Sequence, residues 1–346
     1  MTKKHTIKNK IIFTSVILTL IAFVGCQANI EKQQTASVRV DNSAGTDLEI
    51  QAAHIIQLGL SNTTPQVRAN AIEMAAGTNN QQFMAEVQKL TKDELVPIRF
   101  GAAVAIGDTK YSDGKNDVTQ LLKDSDENVR LAGNYALIML GGSKSYAKPI
   151  REALTSNDQR VRANAAFLLG KIGDKNALPL LYQAIQNESS DDRVRLNSVE
   201  AIARLGDEKI YQKIWAMLIS AYADDRVFGI RAMGAMRASQ ARDSLITMLK
   251  DDLPEVRLVA AEQLGNLGDI TGEKIVIDAL TKDMSVAQDA ETKARIQTLS
   301  ALAIGQIRTP PVKKFLPELL KSDSQFARLA AAKAVFQCSD RNNIGR

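Results

Sequence analysis

Side chains able to do acid–base or metal chemistry are few in this sequence of 346 residues. The two histidines are His5 and His54, and no HExxH, CxxC or GxSxG pattern or phosphate-cradling glycine loop occurs. Acidic residues are numerous, but they cluster at turns, where helix capping accounts for them. Binding chemistry has more to draw on. Asn70, Asn164 and Asn197 each stand two residues after an arginine, and Asn134, Glu262 and Asn266 fall in comparable segments. A row of amides offers paired donors and acceptors suited to a peptide or a glycan, although plain solvent-facing positions would carry the same residues. Trp215, Tyr222 and Phe228 form a second group, in a chain with one tryptophan. Such side chains either anchor a partner or fill an irregular joint.

The elements that must position these residues are repeated. Val67-Arg68, Ile98-Arg99, Val129-Arg130, Val161-Arg162, Val194-Arg195, Val256-Arg257 and Ala327-Arg328 each open an Ala-rich apolar run, and Val227-Phe228 and Ile296-Gln297 read as degenerate copies. The second position recurs at intervals of 31, 31, 32, 33, 33, 29, 40 and 31 residues. In one copy, Val161, Ala165, Leu168, Leu169 and Ile172 recur at helical spacing, and Gly173 stops the helix, as Gly141, Gly206 and Gly268 do in theirs. Asp158 is placed to cap this helix; Asp126, Asp191, Asp224, Thr64 and Ser324 hold the same offset, and Leu95 and Leu253 are poor caps there. A second apolar helix precedes each copy, as in Leu178, Leu181, Ala184 and Ile185. Neither helix can bury its face within one pair, so the pairs must stack. The expectation is an all-α, right-handed solenoid of about nine helix pairs over 47–336. At ~10 Å per pair it would form an open arc of roughly 90 Å with atypical end units. The longest interval contains the polar segment 281–292, expected to emerge as a loop.

The pattern Asp-x-x-Val-Arg-x-x-Ala-x-x-x-Leu-Gly resembles HEAT repeats, particularly the short kind named after the phycobilisome lyases. The resemblance covers about five-sixths of the chain. It implies that the repeat arginines, Arg68, Arg99, Arg130, Arg162, Arg195, Arg257 and Arg328, buttress neighbouring helices near the turns, a role Phe228 and Gln297 cannot fill. It also implies that the second helix of each pair lines the concave face, which would place the asparagines there. Bilin attachment is an activity of the lyases, but only the repeat is shared. Fold by itself does not determine function, and no cofactor is implied.

The first 25 residues differ from the rest. They hold Lys3, Lys4, Lys8 and Lys10 and no acid, so the formal charge of +5 falls to +1 beyond them, with 40 basic residues against 39 acidic. Nothing in that balance steers the remainder toward nucleic acid. Residues 11–24 are uncharged and mostly apolar, short for a membrane span but suited to a signal sequence. Phe23-Val24-Gly25-Cys26 then resembles the lipobox of bacterial lipoproteins. That resemblance implies cleavage before Cys26, its acylation, and, with Gln27 rather than Asp following, delivery to the outer membrane facing the periplasm if the host is Gram-negative. Two or three acyl chains anchor firmly where one would not. Residues 26–46 are polar and aperiodic, as in a flexible tether, and 337–346 read as a short tail. With Cys26 acylated, Cys338 has no internal disulfide partner.

These readings converge on a membrane-anchored protein-binding or assembly scaffold of the cell envelope, with a protein or peptide partner and the lipid bilayer as its contacts. The alternatives are a structural envelope lipoprotein with no specific groove ligand and, more remotely, a lyase-like enzyme.

Overall fold

A computed structural model of the protein describes residues 46–236, 238–287 and 289–339. Cys26, the 1–25 signal segment and the 26–46 tether up to residue 45 lie outside the described residues, as does the tail beyond Ser339. Residues 337–339 belong to the final helix instead.

Among the described residues the chain forms nine helix pairs. The inner helices of units 1 to 9 are Pro65–Ala76, Val96–Asp108, Glu127–Met139, Gln159–Ile172, Asp192–Arg204, Ala223–Met236, Pro254–Asn266, Ala290–Ile307 and Gln325–Ser339. They are flanked on both sides by neighbouring inner helices and on a third by an outer helix, so they bury most of their surface. In unit 4 Val161, Ala163, Ala165, Ala166, Leu168 and Leu169 are all buried. The abundance of alanine follows, because small side chains let these helices approach closely. At Gly170 a β-carbon would come within 2.8 Å of the Ala201 backbone in unit 5, and the helices meet there because none is present.

Local chemistry sets the helix ends. The carboxylate of Asp158 accepts from the Arg160 and Val161 amides, Asp126 from Asn128 and Asp191 from Val194. Thr46 and Glu49 complete a reciprocal capping box at the first helix, Asp47–Leu60. Where the cap is Leu95 or Leu253 no side chain caps the helix, and the aspartate two residues earlier braces the preceding turn, Asp93 accepting from the Leu95 amide and Asp251 from that of Leu253, as Asp124 does from that of Asp126. Gly173 closes unit 4 with φ 79°, a left-handed backbone that costs glycine nothing. The outer helices are shorter than their apolar pattern suggested, most breaking into a 3-10 turn, a short α-helix and often a second 3-10 turn, as over Gln81–Phe83, Met84–Lys89 and Leu90–Lys92.

Two expectations are corrected in the later units. Unit 6 is in a different register: its helix begins at Ala223, so Arg226 stands fourth, where Arg68, Arg99 and Arg257 stand in theirs. Phe228 is not the repeat position, Asp224 lies inside the first turn and does not cap, and the intervals from Arg195 to Arg226 and on to Arg257 are both 31. In unit 8 the polar segment forms no protruding loop. Ala279–Asp283 continues the outer helix as a π-turn, Met284–Val286 adds a short helix, and the inner helix gains a turn at its start, beginning at Ala290.

The helical unit has no free ends. The last inner helix, Gln325–Ser339, packs against both helices of unit 1. Leu329 lies against Gly59, Lys333 lies over Gly77, and the Phe336 and Phe83 rings meet edge to face at 5.4 Å. The expected open arc is therefore a closed ring, because each joint turns enough for nine to complete a circle. Helices ~9 Å apart around it place their axes on a circle roughly 26 Å across, leaving a narrow lumen.

Candidate functional site

The inner helices present one strip to the lumen, marked by the fifth residue after each repeat arginine. Glu73, Arg231, Glu262 and Lys333 occupy that place in units 1, 6, 7 and 9. Lys171 of unit 4 lies one turn further along its helix. Enclosure by protein raises the Glu73 carboxyl above its ordinary range, although water still reaches it. The charges of Lys333, Arg231 and Lys171 pull it back, and Glu262 pushes it further up. Helices from opposite sides of the ring thus bring their charges close enough to act on one another.

A second cluster extends this lining. Lys171 pairs with Asp108 of unit 2 at 2.8 Å, and its ammonium lies 5.9 Å from the Tyr135 ring centre and 5.4 Å from that of Phe167. The Tyr135 hydroxyl donates to Asp108, and burial, then the Asp108 charge, push that phenol far up. Arg204 pairs with Glu200 on the next unit. The lumen is therefore lined by both signs of charge, and Lys171–Asp108 and Arg204–Glu200 are paired within it. Val104 and Leu302 hold the equivalent place in units 2 and 8 and are buried.

At one rim, several of the repeat arginines tie their unit to the next. Arg68, Arg99, Arg226 and Arg257 pair with Asp93, Asp124, Asp251 and Asp283 at 3.2, 2.8, 2.7 and 2.7 Å. Each also donates Nη1 to the two carbonyls five and six residues earlier, as Arg130 and Arg328 do. Burial works to raise the Asp124 carboxyl, but hydrogen bonds from Arg99 and the Asp126 amide hold it below the ordinary carboxylate range. Arg195 donates to the Asn187 and Glu188 carbonyls and Arg162 to that of Ser189. Gln297 holds the arginine's place in unit 8 and accepts from Ser322, which stands where an aspartate stands elsewhere.

The asparagines do not line the lumen. Asn70, Asn134, Asn164 and Asn197 are buried. Asn164 donates to Asn128 Oδ1 at 2.8 Å and Asn197 to the Ala163 carbonyl at 2.9 Å, so these amides join the inner helices of units 3, 4 and 5. Asn70 and Asn134 donate to carbonyls of their own helices. The position two after the arginine faces a neighbouring inner helix, where an amide is kept only if it finds a hydrogen-bond partner. Glu262 does lie on the lumen strip, and Asn266 is exposed one turn beyond it. Trp215 is half-buried on the outer helix Tyr211–Leu218 and stacks on Tyr211 at 6.5 Å; Phe228 is half-buried on the inner helix. Tyr222 stands in the turn between them, 74% exposed, near Ile219 at 68%. Glu73, Asp108, Lys171, Arg231 and Lys333 went unnoticed in the sequence. Aligning the units on the arginine and reading its fifth and ninth successors would have found them.

A model of HEAT repeats matches residues 52–145 and 147–228, just over half of the chain. The protein belongs to the HEAT-repeat family. No curated protein matches it by sequence. Among solved structures it is similar to the CpcE–CpcF complex of phycocyanin lyase from Nostoc, at 18% identity and a TM-score of 0.39, over 74% of this chain and 96% of that one. It is also similar to human deoxyhypusine hydroxylase, at 15% identity and a TM-score of 0.34 over 84% and 96% of the two chains. Kap121p matches at 14% identity and a TM-score of 0.35, over 84% of this chain and 37% of its own. Among the described residues no cluster of three or more His, Cys, Asp or Glu could hold a metal ion.

Proposed function

We propose that this protein is a lipid-anchored, protein-binding scaffold of the bacterial cell envelope, held to the membrane through Cys26 and without catalytic activity of its own. A HEAT array is a protein-binding framework, and the observation that carries the reading here is the exposed pair Tyr222 and Ile219 on the turn of unit 6. A tyrosine and an isoleucine left largely in water on a rigid support suit the anchor of a protein interface. The lumen is a poorer candidate, because it is narrow and part of its charge is already paired, as in Lys171–Asp108 and Arg204–Glu200. That same observation favours the second reading, a structural envelope lipoprotein whose interior binds nothing specific.

The test has two arms. Cys26→Ala is expected to abolish incorporation of labelled palmitate and to release the protein from the membrane fraction; retention on the membrane with no label would remove the anchoring claim. Tyr222→Ser combined with Ile219→Ser is expected to lose the partner captured by the intact protein in crosslinked envelope. Equal capture by both would move the interface elsewhere, and no capture by either would leave the structural reading.

A further inference from the structure

The rim between units 4 and 5 departs from the arginine–aspartate pattern. For Arg99 of unit 2, Asp124 of unit 3 does two things: its Oδ1 accepts from the Asp126 amide at 2.9 Å, and its carboxylate takes both Nε and Nη2 of Arg99. Asp251 does the same for the Leu253 amide and Arg226. The corresponding residue for Arg162 is Asn187. It keeps the turn function, its Oδ1 accepting from the Ser189 amide at 2.9 Å, but it brings no negative charge. Arg162 is 7% exposed and has no carboxylate within ion-pairing distance among the described residues. Its Nη2 turns to the Ser189 carbonyl at 3.0 Å, and its buried Nε has no hydrogen-bond partner.

A buried guanidinium without a counter-charge is costly, and here it borders a cavity. The cavity measures about 140 Å³; Leu154, Leu180 and Ala184 form apolar walls, and Arg162, Asn187 and Ser190 bring the polar edge. Ser190 is 3% exposed, and its hydroxyl also lacks a partner. Two unpartnered buried polar groups, one of them cationic, thus meet at a single space. A cavity of ~150 Å³ takes a six-carbon ring when it is fully apolar, so this one has room for a carboxylate with a short hydrocarbon stem.

We propose that this cavity is a carboxylate-binding site, in which a ligand carboxylate faces the Arg162 guanidinium beside Ser190 and supplies the charge that aspartates supply to Arg68, Arg99, Arg226 and Arg257. The stem lies on Leu154, Leu180 and Ala184. The carboxylate comes either from a free short-chain acid or from an acidic side chain of a bound protein. The site stands independently of the Tyr222 surface.

The experiment titrates propionate, at constant ionic strength with chloride as the control anion, into the folded protein while following the Arg162 Nε–Hε resonance by NMR. Saturable binding in the millimolar range is expected, with chloride at least tenfold weaker. The decisive variant is Asn187→Asp, which provides the internal pair found at Arg68, Arg99, Arg226 and Arg257. It is expected to fold, to melt at a higher temperature than the parent, and to lose propionate binding. No saturation in the parent protein overturns the proposal, as does undiminished binding in Asn187→Asp or equal binding of chloride. A blocked glutamate peptide in place of propionate separates the sources: tighter binding than propionate at the same resonance indicates a protein ligand, and exclusion of the peptide indicates a free acid.

Discussion

Lys171 and Asp108 form an ion pair that passes over an entire unit: they stand 63 residues apart in sequence, on the inner helices of units 4 and 2, and meet at 2.8 Å above Tyr135 of unit 3. In an open superhelix, second neighbours on the concave side are too far apart for this. Tight curvature brings them together, and the same curvature lets unit 9 reach unit 1.

Replacing Lys171 with Met is expected to cost little in stability, about 1 kcal/mol or less, because the pair stays in contact with water. Chemical denaturation read by circular dichroism measures it. A loss several times larger would mean that the pair, and not packing, holds the curvature.

The closing contact is worth more. Leu329 is buried against Gly59, and Leu329→Ala is expected to cost about 2–5 kcal/mol. Native-state hydrogen exchange adds a sharper reading. In the intact ring the amides of Asp47–Leu60 should be protected about as well as those of the central units, and in Leu329→Ala they should exchange first. Rapid exchange of that helix in the intact protein would contradict closure.

The register of unit 6 can be tested by comparing two substitutions. Arg226→Met strands the buried Asp251 carboxylate, and breaking such a pair costs about 3–5 kcal/mol. Phe228→Leu, at a half-buried position, should cost under about 1.5 kcal/mol. If the second substitution proved the more damaging, the repeat arginine would have been misassigned.

Glu73 carries a pH signature of opposite sign to that of Asp124. Its folded-state pKa lies above the unfolded value. Its contribution to stability is therefore fully present below the unfolded pKa and is lost as pH rises through the folded one. Glu73→Gln should flatten the stability profile across that window and be at least as stable as the parent at neutral pH. Asp124 behaves the other way: its folded pKa is lowered, so its contribution is present above the unfolded pKa and lost as pH falls through the folded one. Stability curves followed from acid to neutral pH distinguish the two.

The helix-pair frame was legible in the sequence because local chemistry dictates it. The apolar spacing of Val161 to Ile172, the Asp158 cap and the Gly173 stop act within single helices, and the structure places each where it was read. Closure was not legible, since it depends on a small rotation at each joint that no one residue announces. The amides were misread for a related reason. Asn164 and Asn197 look solvent-facing in a single helix, and only the neighbouring helix supplies the Asn128 side chain and Ala163 carbonyl that make them buried links. In unit 6 the apolar Val227 imitated the usual start of the motif and drew attention from Arg226 two residues after Asp224, although the even 31-residue interval marked it.

The contact of Gln325–Ser339 with Asp47–Leu60 and Pro65–Ala76 also constrains how this gene can change. A solenoid with free ends tolerates duplication or loss of a repeat, because its neighbours merely slide along. Here the tally of repeats is quantised. Dropping one would require every remaining joint to bend from about 40° to about 45° or leave a seam gaping. Drift in this lineage is thereby channelled into substitution within repeats, and copy-number variants should be weeded out at the folding step.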